Sequence, residues 1–174
     1  MVWSQMNSSP QKNVTYYFKK PDEISSQVLD QIQLLIRKGG EVGSAYIREN
    51  LENAFLISYA LDQEGLVIGT VTLKHPKDMY RRKIEAATGL DLSGYLERGY
   101  TSVEPGFRNS DVAHRLIQGL IERSRGQKIY VTIRMDNRFA LELTYKNNMV
   151  LAAKFINERT GHKIGVFTNK ESRP

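Results

Sequence analysis

The sequence predicts an α/β protein, in which a central mixed, mostly antiparallel sheet carries helices on both faces. Three observations lead there. Strand-like and helix-like segments are interspersed along the 174-residue chain, as layered α/β domains require. Two apolar runs, 54–61 (AFLISYAL) and 66–73 (LVIGTVTL), flank Asp62-Gln63-Glu64-Gly65 and read as a β-hairpin. The stretch 95–124 reads as strand, tight turn and amphipathic helix.

Taken in order, residues 1–12 are polar and expected to form a loose tail, residues 13–168 the folded domain, and residues 169–174 a second short tail. Residues 14–19 (VTYYFK) form a first strand, stopped by Pro21. Asp22 or Ser25 can cap the helix that follows. Its apolar set is Val28, Leu29, Ile32, Leu35 and Ile36, and Gly39-Gly40 ends it. Residues 43–50 read as a short helix or an ordered loop. After the hairpin, His75-Pro76 stops the strand, and 77–88 (KDMYRRKIEAAT) is helical up to Gly89. Strands then follow at 95–103, 128–134, 149–156 and 163–167, with helices from Val112 and from Phe139 to Lys146.

Composition narrows the function. The formal charge of +6 favours an anionic partner such as nucleic acid, an anionic membrane or a polyanionic cofactor. The basic residues are scattered, and neither a zinc-finger spacing nor an RNA-binding aromatic signature is present, so nucleic acid is not the expected partner. No apolar run is long enough to span a membrane, and the N-terminus lacks an apolar signal core. The chain has no cysteine, which excludes disulfides and thiolate chemistry and fits a cytoplasmic protein. The three histidines have no metal-ligand spacing, so no metal is expected. No serine sits in a nucleophile-elbow context.

The chemistry concentrates at YLERGYTSVEPGFRNSDVAHRL, residues 95–116. Glu104-Pro105-Gly106 breaks the strand, and a polar turn opens the helix. A helix start offers successive amides and a favourable dipole, so a phosphate or pyrophosphate is the natural guest. The order of residues resembles motif A of the GNAT (Gcn5-related N-acetyltransferase) superfamily. Val103, Pro105 and Arg108 match its V-x-P-x-x-R, and Arg108-Asn109-Ser110-Asp111-Val112-Ala113 follows its R/Q-x-x-G-x-G/A, with Asp111 in place of the middle glycine. An aspartate there can cap the helix, but its charge repels a pyrophosphate unless it points away.

The resemblance extends to the order of elements over roughly residues 14–168, and it implies a GNAT-like fold. It also implies acetyl-CoA as acyl donor and direct attack by a primary amine in a ternary complex. The implied cofactor-binding residues are Val103, Arg108, Asn109, Ser110, Asp111, Val112, Ala113, His114 and Asn137. In this reading the Val103 amide polarises the thioester carbonyl. Glu97 is the expected base, with Glu104 second, and strand alternation puts Glu97, Gly99, Thr101 and Val103 on one face. Tyr145 is the expected acid, because N-x-x-A-x-x-L-T-Y-K resembles the family's N-x-x-A-x-x-L-Y-E-K, in which the tyrosine donates to the CoA sulfur. Thr144 makes Tyr145 arrive one residue late, a rotation of about 100° on a helix.

Tyr46 and Arg48 could border an acceptor pocket or face solvent. The 74–94 insertion could shape that pocket or a dimer surface, and Arg81 and Arg82 could read an acidic acceptor or face water. A homodimer is expected by analogy with the family. The competing readings are a catalytically inactive CoA-sensing or protein-binding regulator on the same fold, and a basic nucleic-acid binder.

Overall fold

The computed structural model describes residues 13–40, 44–108 and 111–169. The chain runs β1 (Thr15–Lys19), α1 (Ser26–Lys38), α2 (Ile47–Glu52), β2 (Leu56–Leu61), β3 (Val67–Lys74), α3 (Asp78–Thr88), β4 (Leu96–Val103), α4 (Val112–Arg123), β5 (Ile129–Arg134), α5 (Arg138–Lys146), β6 (Met149–Ile156) and β7 (Lys163–Asn169). One seven-stranded sheet holds them in the order β1-β2-β3-β4-β5-β7-β6. All neighbours are antiparallel except β4 and β5. This is the mixed sheet that the sequence predicts. Of the tails expected at 1–12 and 169–174, all but Asn169 lie outside the described residues, as does Gly43.

Local chemistry sets the boundaries. Ser25 caps α1, its Oγ accepting from the Val28 amide at 3.2 Å. In the hairpin turn, the Asp62 carboxylate accepts from the amides of Glu64 and Leu66, while Gly65 takes the left-handed conformation at φ 79°. β7 runs to Asn169, two residues past the expected Phe167. Asn169 is held because its side chain accepts from the Ile129 amide and donates to the Gln127 carbonyl, clamping the entry to β5.

Two apolar layers cover the sheet. On one face α4 buries Val112, Leu116, Ile117 and Leu120 against Ala60, Val71, Leu96 and Phe167, with Leu141 and Leu143 of α5 packed against the cluster. On the other, α1 and α2 bury Ile32, Ile36, Ile47 and Leu51 against Ile57, Tyr59 and Tyr100. The inserted α3 extends this second layer, resting Ile84 and the following Leu92 on Tyr130 and Val166. Gly119 lets α4 approach β1 closely: a Cβ there would collide with the Phe18 ring.

Two irregularities create a site. The parallel pairing of β4 with β5 covers only Leu96↔Ile129 and Glu97↔Tyr130. Beyond it the strands diverge, and β5 takes β7 as its other neighbour. β4 also bulges against β3, where the register steps from Thr72↔Gly99 to Thr70↔Ser102. Tyr100 sits in the bulge at φ 50°, a left-handed backbone that is uncommon for a bulky side chain.

Candidate active site

A cleft of about 1030 Å³ fills the divergence between β4 and β5. β4 supplies Glu97 to Val103, the following turn Glu104, Pro105 and Arg108, and β5 Val131 to Arg134. Ala113 of α4, then Asn137 and Ala140 at the start of α5, close one side, and Lys38, Gly39 and Tyr80 form the opposite rim.

The bulge decides which β4 side chains share a wall. Glu97 and Gly99 face the α1 side, where Lys74 lies across Gly99 so closely that a Cβ would meet its Cε at 2.9 Å. Lys74 Nζ sits 3.7 Å from the Glu97 carboxylate and 4.3 Å from the centre of the Tyr100 ring. Val103, by contrast, turns to the α4 side, packing over Gly69 beside Val112. The expected single face of Glu97, Gly99, Thr101 and Val103 is therefore split, because one extra residue in the bulge reverses the alternation. The same reversal turns Glu104 toward α1, where it meets Lys38 Nζ at 3.3 Å. Glu97 and Glu104 thus share a side that ideal alternation denied them.

Glu97 is largely buried, and burial holds its carboxyl above the usual glutamate range, with Lys74 and then the Tyr130 hydroxyl drawing it back. Burial, then the Glu97 charge, pushes the Tyr130 hydroxyl well up.

At the far end, the Glu104 amide donates to the Ile68 carbonyl. Alternation along the strand then directs the N–H and C=O of Val103 to the cleft. That carbonyl accepts from Arg108 Nε at 3.1 Å, which anchors the guanidinium at the cleft mouth. The first bond of the α4 ladder runs from the Arg115 amide to the Asp111 carbonyl. The amides of Val112, Ala113 and His114 precede it, the arrangement that receives an anion at a helix start.

The fold has counterparts in solved structures. NAA60 of Arabidopsis thaliana in complex with acetyl-CoA aligns with a TM-score of 0.67 at 16% identity, covering 88% of this chain and 98% of that one. The ribosomal-protein-S18-alanine N-acetyltransferase of Escherichia coli aligns at 0.66 and 11% identity, covering 92% and 96%. A GNAT-family acetyltransferase from Desulfovibrio desulfuricans aligns at 0.68 and 9% identity, covering 92% and 100%. The chain has the GNAT acyltransferase fold. No family model matches the sequence. No curated protein matches it either. At these identities the likeness is one of fold, and the GNAT site must be argued from this chain's own residues.

Of the expected GNAT cofactor residues, Val103, Arg108, Ala113 and Asn137 line the cleft. The Asn137 side chain also caps α5, its oxygen accepting from the Ala140 amide at 3.1 Å. Asn109 and Ser110 lie outside the described residues. Asp111 stands at the N-cap of α4 but makes no side-chain cap bond. It turns to Lys146 Nζ at 3.2 Å, which holds its carboxyl below the usual aspartate range. Val112 is core, so only its backbone is available to a ligand. The His114 side chain does not reach the cleft wall, and its buried Nδ1 has no hydrogen-bond partner.

Tyr145, the expected acid, is 51% exposed, packs edge-on against Phe167 and is not among the residues lining the cleft. The helix turns Thr144 inward in its place, fully buried, where its hydroxyl accepts from Arg98 at 2.9 Å. Tyr46 and Arg48 also lie off the cleft: Lys77 covers the Tyr46 ring, and Arg48 clamps α1 to α2 through Asp30 and Glu52. Arg81 is committed to Glu85, whose carboxylate also accepts from the Leu92 amide. From the insertion, Tyr80 reaches the rim.

Sequence reasoning missed Lys74 and Arg98. Lys74 is opposite Glu97 in the β3–β4 register, a pairing between strands that no single stretch of sequence reports. Arg98 is 4% exposed within the cleft wall, donating to Thr144 and to the Met149 sulfur at 3.6 Å, with Nε unpartnered. Burial alone pushes its guanidinium down to about 10. Among the described residues, no group of three or more His, Asp or Glu is placed to hold a metal. No helix among them is long and apolar enough to cross a membrane.

Proposed function

We propose that this protein is an N-acetyltransferase that binds acetyl-CoA in the β4–β5 cleft and transfers the acetyl group to a primary amine. The divergence of β4 and β5 after two residue pairs carries this reading, because it opens one continuous cleft from a buried carboxylate to a helix start. Glu97 and Val103 stand six positions apart on β4, about 20 Å of extended chain. That span suits a long donor with its anionic end at Arg108 and α4 and its thioester near Glu97.

The β4 edge toward the cleft offers backbone groups to an extended pantetheine arm, as a sheet edge does to an added strand. Val103, at the Arg108 end of that edge, contributes its backbone to the arm rather than to the thioester, which the span places near Glu97. Arg108 and the first amides of α4 hold the pyrophosphate, with the Asp111 charge answered by Lys146. The amine enters from the Lys38, Gly39 and Tyr80 rim and reaches Glu97. Its nitrogen attacks the thioester carbonyl, Glu97 takes the amine proton, the C–N bond forms, and the C–S bond breaks to release thiolate. The exposed position of Tyr145 does not support the acid role expected of it.

The acceptor is read as a primary amine of a small molecule or a peptide. Of the three neighbours named above, one is described by its acceptor, an alanine of ribosomal protein S18, and at 11% identity that acceptor does not carry to this chain. The reading is tested by incubating the protein with acetyl-CoA and a panel of amines, small molecules and peptide N-termini alike, and following free thiol. Acceptor-dependent thiol release that disappears in Glu97→Gln supports it. Binding of acetyl-CoA with no release over the whole panel favours the regulator.

A further inference from the structure

Arg98 is the buried cation of this cleft that lacks a carboxylate. Lys38 answers Glu104, Lys74 answers Glu97, and Arg134 answers Asp136. Arg108 stands at the solvent-exposed mouth on the Val103 carbonyl. Among the described residues no ion pair includes Arg98, whose contacts are neutral, a threonine hydroxyl and a thioether. A buried charge without a counter-charge is costly, and a site that retains one is prepared for an anion.

Its place on β4 says which anion. Leu96 and Glu97 are the last residues paired with β5, so Arg98 begins the divergence, at the apex of the cleft. Glu97 and Arg98 are successive strand residues and point to opposite faces. The base side of β4 receives the amine, and the opposite side is left for the group that departs.

We infer that the Arg98 guanidinium, positioned by Thr144, stabilises the thiolate of CoA as the C–S bond breaks. This rests on the proposed acetyl transfer. The sulfur leaves with the bonding electron pair, the amine proton resides on Glu97, and the thiolate takes its proton from solvent after release. The protein then needs no tyrosine at the sulfur, consistent with Tyr145 lying outside the cleft.

The test uses CoA itself, so it needs no acceptor. Thiolate absorbance of bound CoA is followed against pH in the intact protein, in Arg98→Met, in Thr144→Val and in Glu97→Gln. An opposite charge a few ångströms away lowers an acid's pKa by about 1–3 units. The expected result is a bound thiol about that far below free CoA, returning toward the free value in Arg98→Met and part of the way in Thr144→Val. Glu97→Gln, which removes a negative charge across the strand, leaves the bound thiol no higher than in the intact protein. Thermal melts identify any variant that fails to fold, and Thr144→Val, which is nearly isosteric, decides in that event. Wild-type protein that binds CoA with an unshifted thiol, or a shift unchanged in a folded variant, overturns the assignment and leaves the cofactor reading standing. Absence of CoA binding overturns the proposed function itself.

Discussion

Glu97 and Lys74 form the residue-scale device on which the proposed chemistry turns. The base must be ionised to accept a proton. Because burial raises its pKa, kcat/KM rises with pH along a limb displaced upward from the ordinary glutamate value of about 4.3. Lys74 lowers that pKa, so Lys74→Met moves the limb to higher pH, and pH–rate profiles of both proteins check the direction. Glu97→Gln removes the limb and lowers kcat by about 10²–10⁴-fold, the usual contribution of a positioned base. Stability moves the opposite way with pH. The folded state holds the Glu97 proton more tightly than the unfolded chain does. This contribution is complete below the unfolded pKa and is lost as pH rises through the folded one.

At the scale of the element, α4 must reconcile packing with anion binding. Gly119 is its closest approach to β1. An alanine gains about 1 kcal/mol of helix propensity there but drives a methyl into the Phe18 ring, which Arg123 stacks on at 4.0 Å. Overpacking costs about 1–3 kcal/mol, so Gly119→Ala is expected to be net destabilising, and urea denaturation measures it. At the opposite end, Lys146 of α5 neutralises Asp111. Acetyl-CoA titrations should show Asp111→Asn binding more tightly than the parent and Lys146→Ala more weakly.

Much of this scale was legible. The helix faces, the hairpin, the Ser25 cap and the strand–turn–helix unit follow from periodicity and turn chemistry, which are local. The bulge at Tyr100 was marked only by the adjacent Gly99, which ideal alternation passes over, and so the faces of Val103 and Glu104 came out reversed. The misplacement of Tyr145 has the same character: one residue rotates a helical side chain by about 100°, and Thr144 occupies the inward position. Lys74 and Arg98 acquire roles only when β3, β5 and α5 are brought to β4, which no single window of sequence reports.

For the whole molecule, the mixed sheet and its interrupted β4–β5 pairing define the account. The order of elements in the sequence led to this topology, and the GNAT fold shared with the solved structures agrees with it. The insertion between β3 and β4 adds a layer around Ile84 and brings Tyr80 to the acceptor rim. Tyr80→Ala is expected to raise the acceptor KM while leaving acetyl-CoA affinity unchanged, as steady-state kinetics with each substrate varied will show.

The most direct test of the central claim is calorimetric titration of the protein, and of Arg108→Ala, with acetyl-CoA and with CoA. The account predicts a single site of micromolar affinity for both, weakened in the variant by about 1–3 kcal/mol, the scale of one charge-assisted contact. No heat of binding with either ligand would contradict it, and would mean that the cleft between β4 and β5 serves another guest.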